Sequence, residues 1–212
     1  RVVLLPNPPS PYYLSALSDR KTHPTLHRTA FGSELRLLFV GRLDDPRKGV
    51  AELLGAVCQA RAQGISAVLT LIGPCSAAWR SRFSSLIQDS RARLLGQVDL
   101  NQLAEEYLLH DAFVLPSRQE GFGIVIAEAF HAGLPVISTR CGGPEDVIRE
   151  SKAGLLVDHN TLAMVDAFKT LAANHDLRRR FATSALDYAE RELSFPIFAS
   201  RVRDLTERLL GH

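Results

Sequence analysis

From about residue 35 onward, short apolar runs alternate with longer stretches of helical spacing. The runs fall at 35–40, 67–72, 93–95, 112–115, 135–138 and 154–157. Their length and their flanking glycines and prolines predict buried strands. Between them, apolar residues recur every third or fourth position. Val50, Leu53, Leu54, Val57 and Cys58 mark a helix over 48–63, closed by Gly64. Further helices are predicted over 77–88, 99–108 and 122–132, with a short one ending near 148. Asp99-Leu100-Asn101-Gln102 has the spacing of a capping box, which places a helix start there. Strands buried on both faces and separated by helices predict a parallel sheet covered on both sides. With right-handed crossovers this is an α/β fold, a Rossmann-like doubly wound parallel sheet. C-terminal helices follow at 162–173, 176–190 and 195–210.

Residues 1–34 break the alternation. Pro6-Asn7-Pro8-Pro9-Ser10-Pro11 and Lys21-Thr22-His23-Pro24 predict a linker or N-terminal extension over 1–34. Within it we expect a strand at 2–5 and a short helix at 12–18. The domain itself is expected over 35–212.

Composition then narrows the class. The 212 residues are 46% apolar and 23% charged, which suits a soluble globular chain and excludes a disordered, collagenous or coiled-coil one. No run of about 18 apolar residues is present to form a membrane span. The apolar part of the N-terminus is too short for a signal peptide. A net charge of +2 is too small to imply a nucleic-acid partner. Among the 25 cationic residues only Lys21, Lys48, Lys152 and Lys169 are lysines. Arginine suits bidentate pairing with carboxylate or phosphate, although genome base composition produces the same bias. Cys58, Cys75 and Cys141 are widely spaced, with no C-x-x-C. They read as reduced thiols of a cytosolic compartment, not as a disulfide frame or a zinc site.

In a doubly wound sheet, ligands bind outside the carboxyl ends of the strands. The first loop there, Gly41-Arg42-Leu43-Asp44-Asp45-Pro46-Arg47-Lys48-Gly49, places cations beside a helix start. Cations oppose the dipole at that end, so an anion between Arg42 and Lys48 would account for them; solvated surface charge is the alternative. Neither a P-loop nor a G-x-G-x-x-G is present.

The second loop, Pro116-Ser117-Arg118-Gln119-Glu120-Gly121-Phe122-Gly123, leads into the apolar helix containing Glu128. A carboxylate in such a segment needs partners, and the two hydroxyls of a diol are suitable ones. Glycines allow close backbone approach. The amides of Phe122, Gly123 and Ile124 form a candidate anion site at the helix start. Glu128 lies about 9 Å along the helix at 1.5 Å per residue. One elongated ligand, hydroxylated at both ends and phosphorylated in the middle, would therefore reach both Glu120 and Glu128. A polar stripe on an amphipathic helix is the alternative for Glu128, and a loop acid near the dipole for Glu120. The third loop, Ser138-Thr139-Arg140-Cys141-Gly142-Gly143-Pro144-Glu145, reads as a tight turn or a second small anion site. His110, His131, His159 and His175 lack metal-ligand spacing and read as surface or cap residues. Trp79 and Phe83 read as a packing stripe.

Taken together, these loops resemble the C-terminal, donor-binding half of GT-B retaining glycosyltransferases of family 4. The resemblance is carried by Val40-Gly41-Arg42-Leu43 with Lys48-Gly49, by Leu95-Gly96-Gln97-Val98, by Pro116-Ser117 with Glu120-Gly121-Phe122-Gly123-Ile124 and Glu128-Ala129, and by Gly133-Leu134-Pro135-Val136-Ile137. Pro6-Asn7-Pro8 is similar to the family's interdomain linker.

The resemblance implies a role for each of these residues. Arg42 and Lys48 bind the donor diphosphate; Glu120 contacts the donor sugar with Gly41, Gly121, Phe122, Gly123 and Ile124 around it. Glu128 holds the ribose, and backbone near Gln97 and Val98 meets the base. It implies hexosyl transfer from a UDP-, GDP- or ADP-linked sugar to an acceptor hydroxyl, with no cofactor and no metal. It also implies an N-terminal acceptor half missing from this chain. The isolated chain is then expected to bind nucleotide sugar and transfer little. Any membrane contact, peripheral at the inner face, is expected through that other half. A flavodoxin-like nucleotide-binding or signalling module, and half of a sugar-nucleotide epimerase or hydrolase, are the competing readings.

Overall fold

The computed structural model describes residues 7–18 and 34–210. Its sheet comprises β1 (Leu35–Val40), β2 (Ala67–Ile72), β3 (Arg93–Gly96), β4 (Ala112–Leu115), β5 (Val136–Thr139) and β6 (Gly154–Val157). All neighbours pair in parallel, in the order β3-β2-β1-β4-β5-β6. The chain moves outward from β1 to β3, returns to the centre at β4, and moves outward the other way. The reversal between β1 and β4 opens a crevice at their carboxyl ends. The strand at 2–5 expected from sequence lies outside the described residues.

Side chains alternate across the strands with period two. Leu35, Leu37 and Phe39 of β1 join Ala112 and Val114 of β4 in one core cluster. On that face pack α2 (Val50–Ala62), α4 (Ser84–Ser90) and α8 (Thr161–Ala173). Leu38, Phe113 and Leu115 point the other way, into a second cluster. That cluster is built by α5 (Leu100–Leu109), α6 (Ile124–His131), α7 (Gly143–Ser151) and α9 (His175–Glu192). The last helix, α10 (Phe195–Leu210), contributes no buried residue.

Three local differences from the sequence reading have physical causes. The helix at the start of the chain, α1 (Pro11–Ser18), does not stand apart as linker: Tyr13, Ala16 and Leu17 are buried in the second cluster beside Tyr107. The domain core thus reaches back into residues read as an extension. The single helix over 77–88 is two, α3 (Ala77–Arg82) and α4, broken at Phe83 (φ −103°, ψ 15°). Ser81, Ser84 and Ser85 are weak helix formers at the break, and Trp79 and Phe83 pack ring to ring at 5.1 Å as the packing stripe required. The helix over 122–132 starts later, at Ile124, because Gly123 (φ +75°) is its N-cap. Of the two roles expected for His110, surface or cap, it takes the cap of α5, and it is buried there; its Nε2 lies 2.8 Å from Thr70 Oγ1. Asp99 is the N-cap of α5 as expected, its side chain accepting from the Gln102 amide; of the reciprocal pair that makes a capping box, this is the half that forms.

Candidate functional site

The loops after β1 and β4 meet at the crevice. Gly49 makes the approach possible. It has φ +65°, and a Cβ there would sit 2.0 Å from the carbonyl oxygen of Pro116. Any side chain would force the loops apart. The Arg118 amide donates to the Arg47 carbonyl at 2.7 Å, lacing them together. The loop after β5 closes from the other side: the Glu120 amide donates to the Cys141 carbonyl at 2.8 Å. A Cβ on Gly143 would lie 1.9 Å from the Gly121 carbonyl oxygen. The Gly142-Gly143 pair is therefore a turn that lets two backbones touch, and Gly142 is the N-cap of α7.

Glu120 is held at this junction. Its Oε1 takes Lys48 Nζ at 2.5 Å and the Ser117 hydroxyl at 2.8 Å. A cleft of about 310 Å³ is lined by Arg47, Lys48, Gln119, Glu120 and Gly121. Arg47 is turned back onto Asp45 at 2.7 Å, and their hydrogen bond holds the Asp45 carboxyl down at about 2. Lys48 is the cation that crosses from the first loop to the second.

Glu128, just over one turn into α6, is half-buried. The buried Tyr107 hydroxyl of α5 donates to its Oε2 at 2.9 Å, and the Tyr13 hydroxyl of α1 donates to its backbone carbonyl at 2.9 Å. Burial pushes the Glu128 pKa above its ordinary value; the Tyr107 hydrogen bond offsets part of that rise. The partner demanded for this acid is thus supplied first by the protein itself.

The remaining predicted residues are spread along the same edge. Arg42 follows β1; its side chain is 63% exposed, with Asp44 at 3.7 Å. Gln97 is exposed and Val98 half-buried after β3, whose last residue Gly96 accepts from the Gly73 amide at 2.8 Å. The start of α6 has no side-chain cap. Of the three amides expected there, Ile124 opens the helix, while Phe122 and Gly123 precede it.

The structure therefore brings Lys48, Glu120 and Gly121 into one cleft. Arg42, Glu128, Gln97 and Val98 are not among its walls. The sequence reading missed that Lys48 is already paired, and it assigned nothing to Ser117, Tyr107, Arg47 or Gln119. Ser117 lies three residues before Glu120, a spacing that could have signalled contact. Tyr107 carried no such signal. Among the described residues, no group of three or more His, Cys, Asp or Glu side chains converges, and no helix is long and apolar enough to cross a membrane.

Residues 34–174 match the family described as Glycosyl transferases group 1. The phosphatidyl-myo-inositol mannosyltransferase of Mycobacterium leprae is 30% identical over 208 residues, covering 97% of this chain and 53% of that protein. Among solved structures, sucrose-phosphate synthase from Thermosynechococcus elongatus superposes with a TM-score of 0.79 at 25% identity, covering 100% of this chain and 53% of that one. An Anabaena protein crystallised with UDP and glucose has the same fold, with a TM-score of 0.70 at 19% identity, covering 93% of this chain and 52% of that one. The chain spans about half the length of these proteins.

Proposed function

The chain belongs to the group 1 glycosyltransferases, and on that premise we propose that it is the donor-binding side of an enzyme moving a hexosyl group from a nucleoside diphosphate sugar to an acceptor hydroxyl. One observation carries the reading. A lysine from the loop after β1 and a glutamate from the loop after β4 meet at the crevice where the sheet reverses direction, beside a helix start that no side chain caps. That is where a doubly wound sheet binds a nucleotide, and both signs of charge are present.

The donor is assigned as follows. The diphosphate lies against Lys48, Arg42 and the amides of Phe122, Gly123 and Ile124. An ammonium carries three donors, so Lys48 serves Glu120 with one and phosphate oxygens with the others. The sugar lies against Glu120, with Gly41 and Gly121 leaving it room. The ribose hydroxyls meet Glu128, and the base meets the turn at Gln97 and Val98.

Transfer proceeds with retention, by attack on the donor's own face. The bond from the anomeric carbon to the phosphate oxygen breaks, and the acceptor oxygen bonds to that carbon. The acceptor's proton passes to an oxygen of the departing diphosphate. The two cations and the helix start stabilise the charge that develops there, so the site is assigned no metal and no cofactor. Acceptor contacts are assigned outside these residues. The name of the mycobacterial relative supports a phosphatidylinositol as the acceptor to try first, which would place the enzyme peripherally at the cytosolic face of a membrane.

The test is thermal and calorimetric titration of the chain with UDP, GDP, ADP and their sugar-linked forms, since specific binding stabilises the fold by mass action. We expect one base to be preferred and Glu128→Ala to abolish the shift. Arg42→Ala should weaken the diphosphate more than the monophosphate. A chain indifferent to all of these at about 1 mM, an affinity barely above 4 kcal/mol, would not be a donor-binding unit.

A further inference from the structure

Each acid of this site is gripped on only one of its two oxygens, and in both cases by a hydroxyl from the core. Wholly buried Ser117 donates to Oε1 of Glu120 at 2.8 Å, the same oxygen that Lys48 holds. Wholly buried Tyr107 donates to Oε2 of Glu128 at 2.9 Å. The other oxygens, Oε2 of Glu120 and Oε1 of Glu128, have no protein partner among the described residues, and neither is shut away from solvent.

The residues that carry the two hydroxyls are themselves held by the core. The Ser117 carbonyl accepts from Thr139 Oγ1 at 2.5 Å, which ties it to β5. The Tyr107 ring packs edge-on against Tyr13 and tilted against Phe113, each at 5.7 Å. Both residues are anchored by contacts that do not involve the acid they donate to. A carboxylate accepts through both oxygens, so pinning one oxygen from a rigid core sets the direction of the other.

We propose that Ser117 and Tyr107 are the positioning residues of this site, each occupying one carboxylate oxygen so that its partner is aimed at a hydroxyl of the ligand. The inference rests on the donor reading and extends it: Ser117 governs the sugar through Glu120, and Tyr107 governs the ribose through Glu128. Its signature follows from which part of the ligand each acid meets. The ribose is common to a nucleoside diphosphate and its sugar derivative; the sugar is not.

The test is a pair of double-mutant cycles on the whole chain. They are titrated calorimetrically with UDP and UDP-glucose, with GDP and GDP-mannose and with ADP and ADP-glucose, following whichever pair the wild type binds most tightly. Tyr107→Phe should weaken nucleotide and nucleotide sugar by the same factor, about tenfold for a hydrogen bond to a charged acceptor. In a Glu128→Gln background it should cost less than about twofold, because coupled residues are not additive. Ser117→Ala should leave the nucleotide unchanged, weaken the nucleotide sugar about tenfold, and be silent in Glu120→Gln.

The ratio of the two affinities within one variant does not depend on how much of it is folded, and the calorimetric stoichiometry reports that fraction. Fully additive cycles, or a Ser117→Ala that weakens both ligands alike, would overturn the proposal while leaving the donor reading in place. A wild type that binds none of the three pairs would remove the donor reading and this proposal with it.

Discussion

Strands β1 and β4 lie side by side, and an ion pair joins them at each end. At the amino end, Arg36 meets Asp111. One Asp111 oxygen accepts the Arg36 amide at 2.9 Å and Nε at 3.1 Å, and the other accepts Nη2 at 3.0 Å. Asp111 is 3% exposed, and buried Arg178 feels its charge. At the carboxyl end, Lys48 meets Glu120 through a single oxygen, across a cleft open to solvent. The first pair is closed: both of its carboxylate oxygens are used up within the protein. The second is open: it holds a charge in place and keeps part of its hydrogen-bonding capacity for something else. Two ion pairs at opposite ends of the same two strands thus do different work, and saturation of the carboxylate separates them.

The largest effect should come from breaking the closed pair. Asp111→Asn removes the charge facing Arg36 and Arg178, and should cost about 3–5 kcal/mol of stability in urea unfolding while leaving nucleotide affinity unchanged. The neighbouring residue makes a pH-dependent version of the same test. Burial, opposed by the hydrogen bond to the Glu106 carbonyl, pushes the His110 pKa down to about 4. The unfolded chain therefore binds this proton at a higher pH than the folded one does. Its stability contribution is present above about pH 6.5 and is lost as pH falls towards 4, up to about 3 kcal/mol. His110→Gln should flatten that part of the stability profile, and an unchanged slope would refute the assignment.

At the open end the effects should be on ligand, not fold. Glu128 has a raised pKa, so it protonates at a higher pH than an ordinary carboxyl. Falling pH should therefore favour the empty fold at this residue while removing nucleotide affinity. Glu128→Gln should cost about thirtyfold in nucleotide affinity near neutral pH, about 2 kcal/mol, and should abolish the acid-side loss. Glu120→Gln should cost about tenfold in nucleotide-sugar affinity and under about 1 kcal/mol of stability. If Glu120→Gln instead destabilised the chain as much as Asp111→Asn, the distinction between the two ends would fail. Smallest is Arg42→Ala. At an exposed cation we expect about threefold weaker diphosphate binding, shrinking further in salt.

Much of this was legible in the residue pattern. Strand lengths, the Asp99 N-cap and the short apolar runs each follow from contacts within a few residues, so β1 to β6 emerge near their observed bounds. The switch-point loops followed from topology, which narrows the search to Gly41–Gly49 and Pro116–Gly123. Less of the site was legible. Apolar spacing predicts one continuous helix from 77, while the three serines around Phe83 break it in two. The pattern allows His110 as a surface or cap residue, and it is the cap; its burial against Thr70, 40 residues earlier, carries no sign in the sequence.

By itself, then, the chain's pattern determined which segments become strands and helices, which faces they bury, and that Glu120, Glu128, Arg42 and Lys48 belong to one edge of the sheet. Only the tertiary structure decided that Lys48 grips Glu120 across 72 residues of sequence, that Glu128 leans on Tyr107, and which oxygen of each acid is left for a ligand. The reason lies in range. Periodicity records burial, a property each residue has on its own, whereas the saturation of a carboxylate is a property of a meeting between distant loops, and it exists only once Gly49 has let them touch.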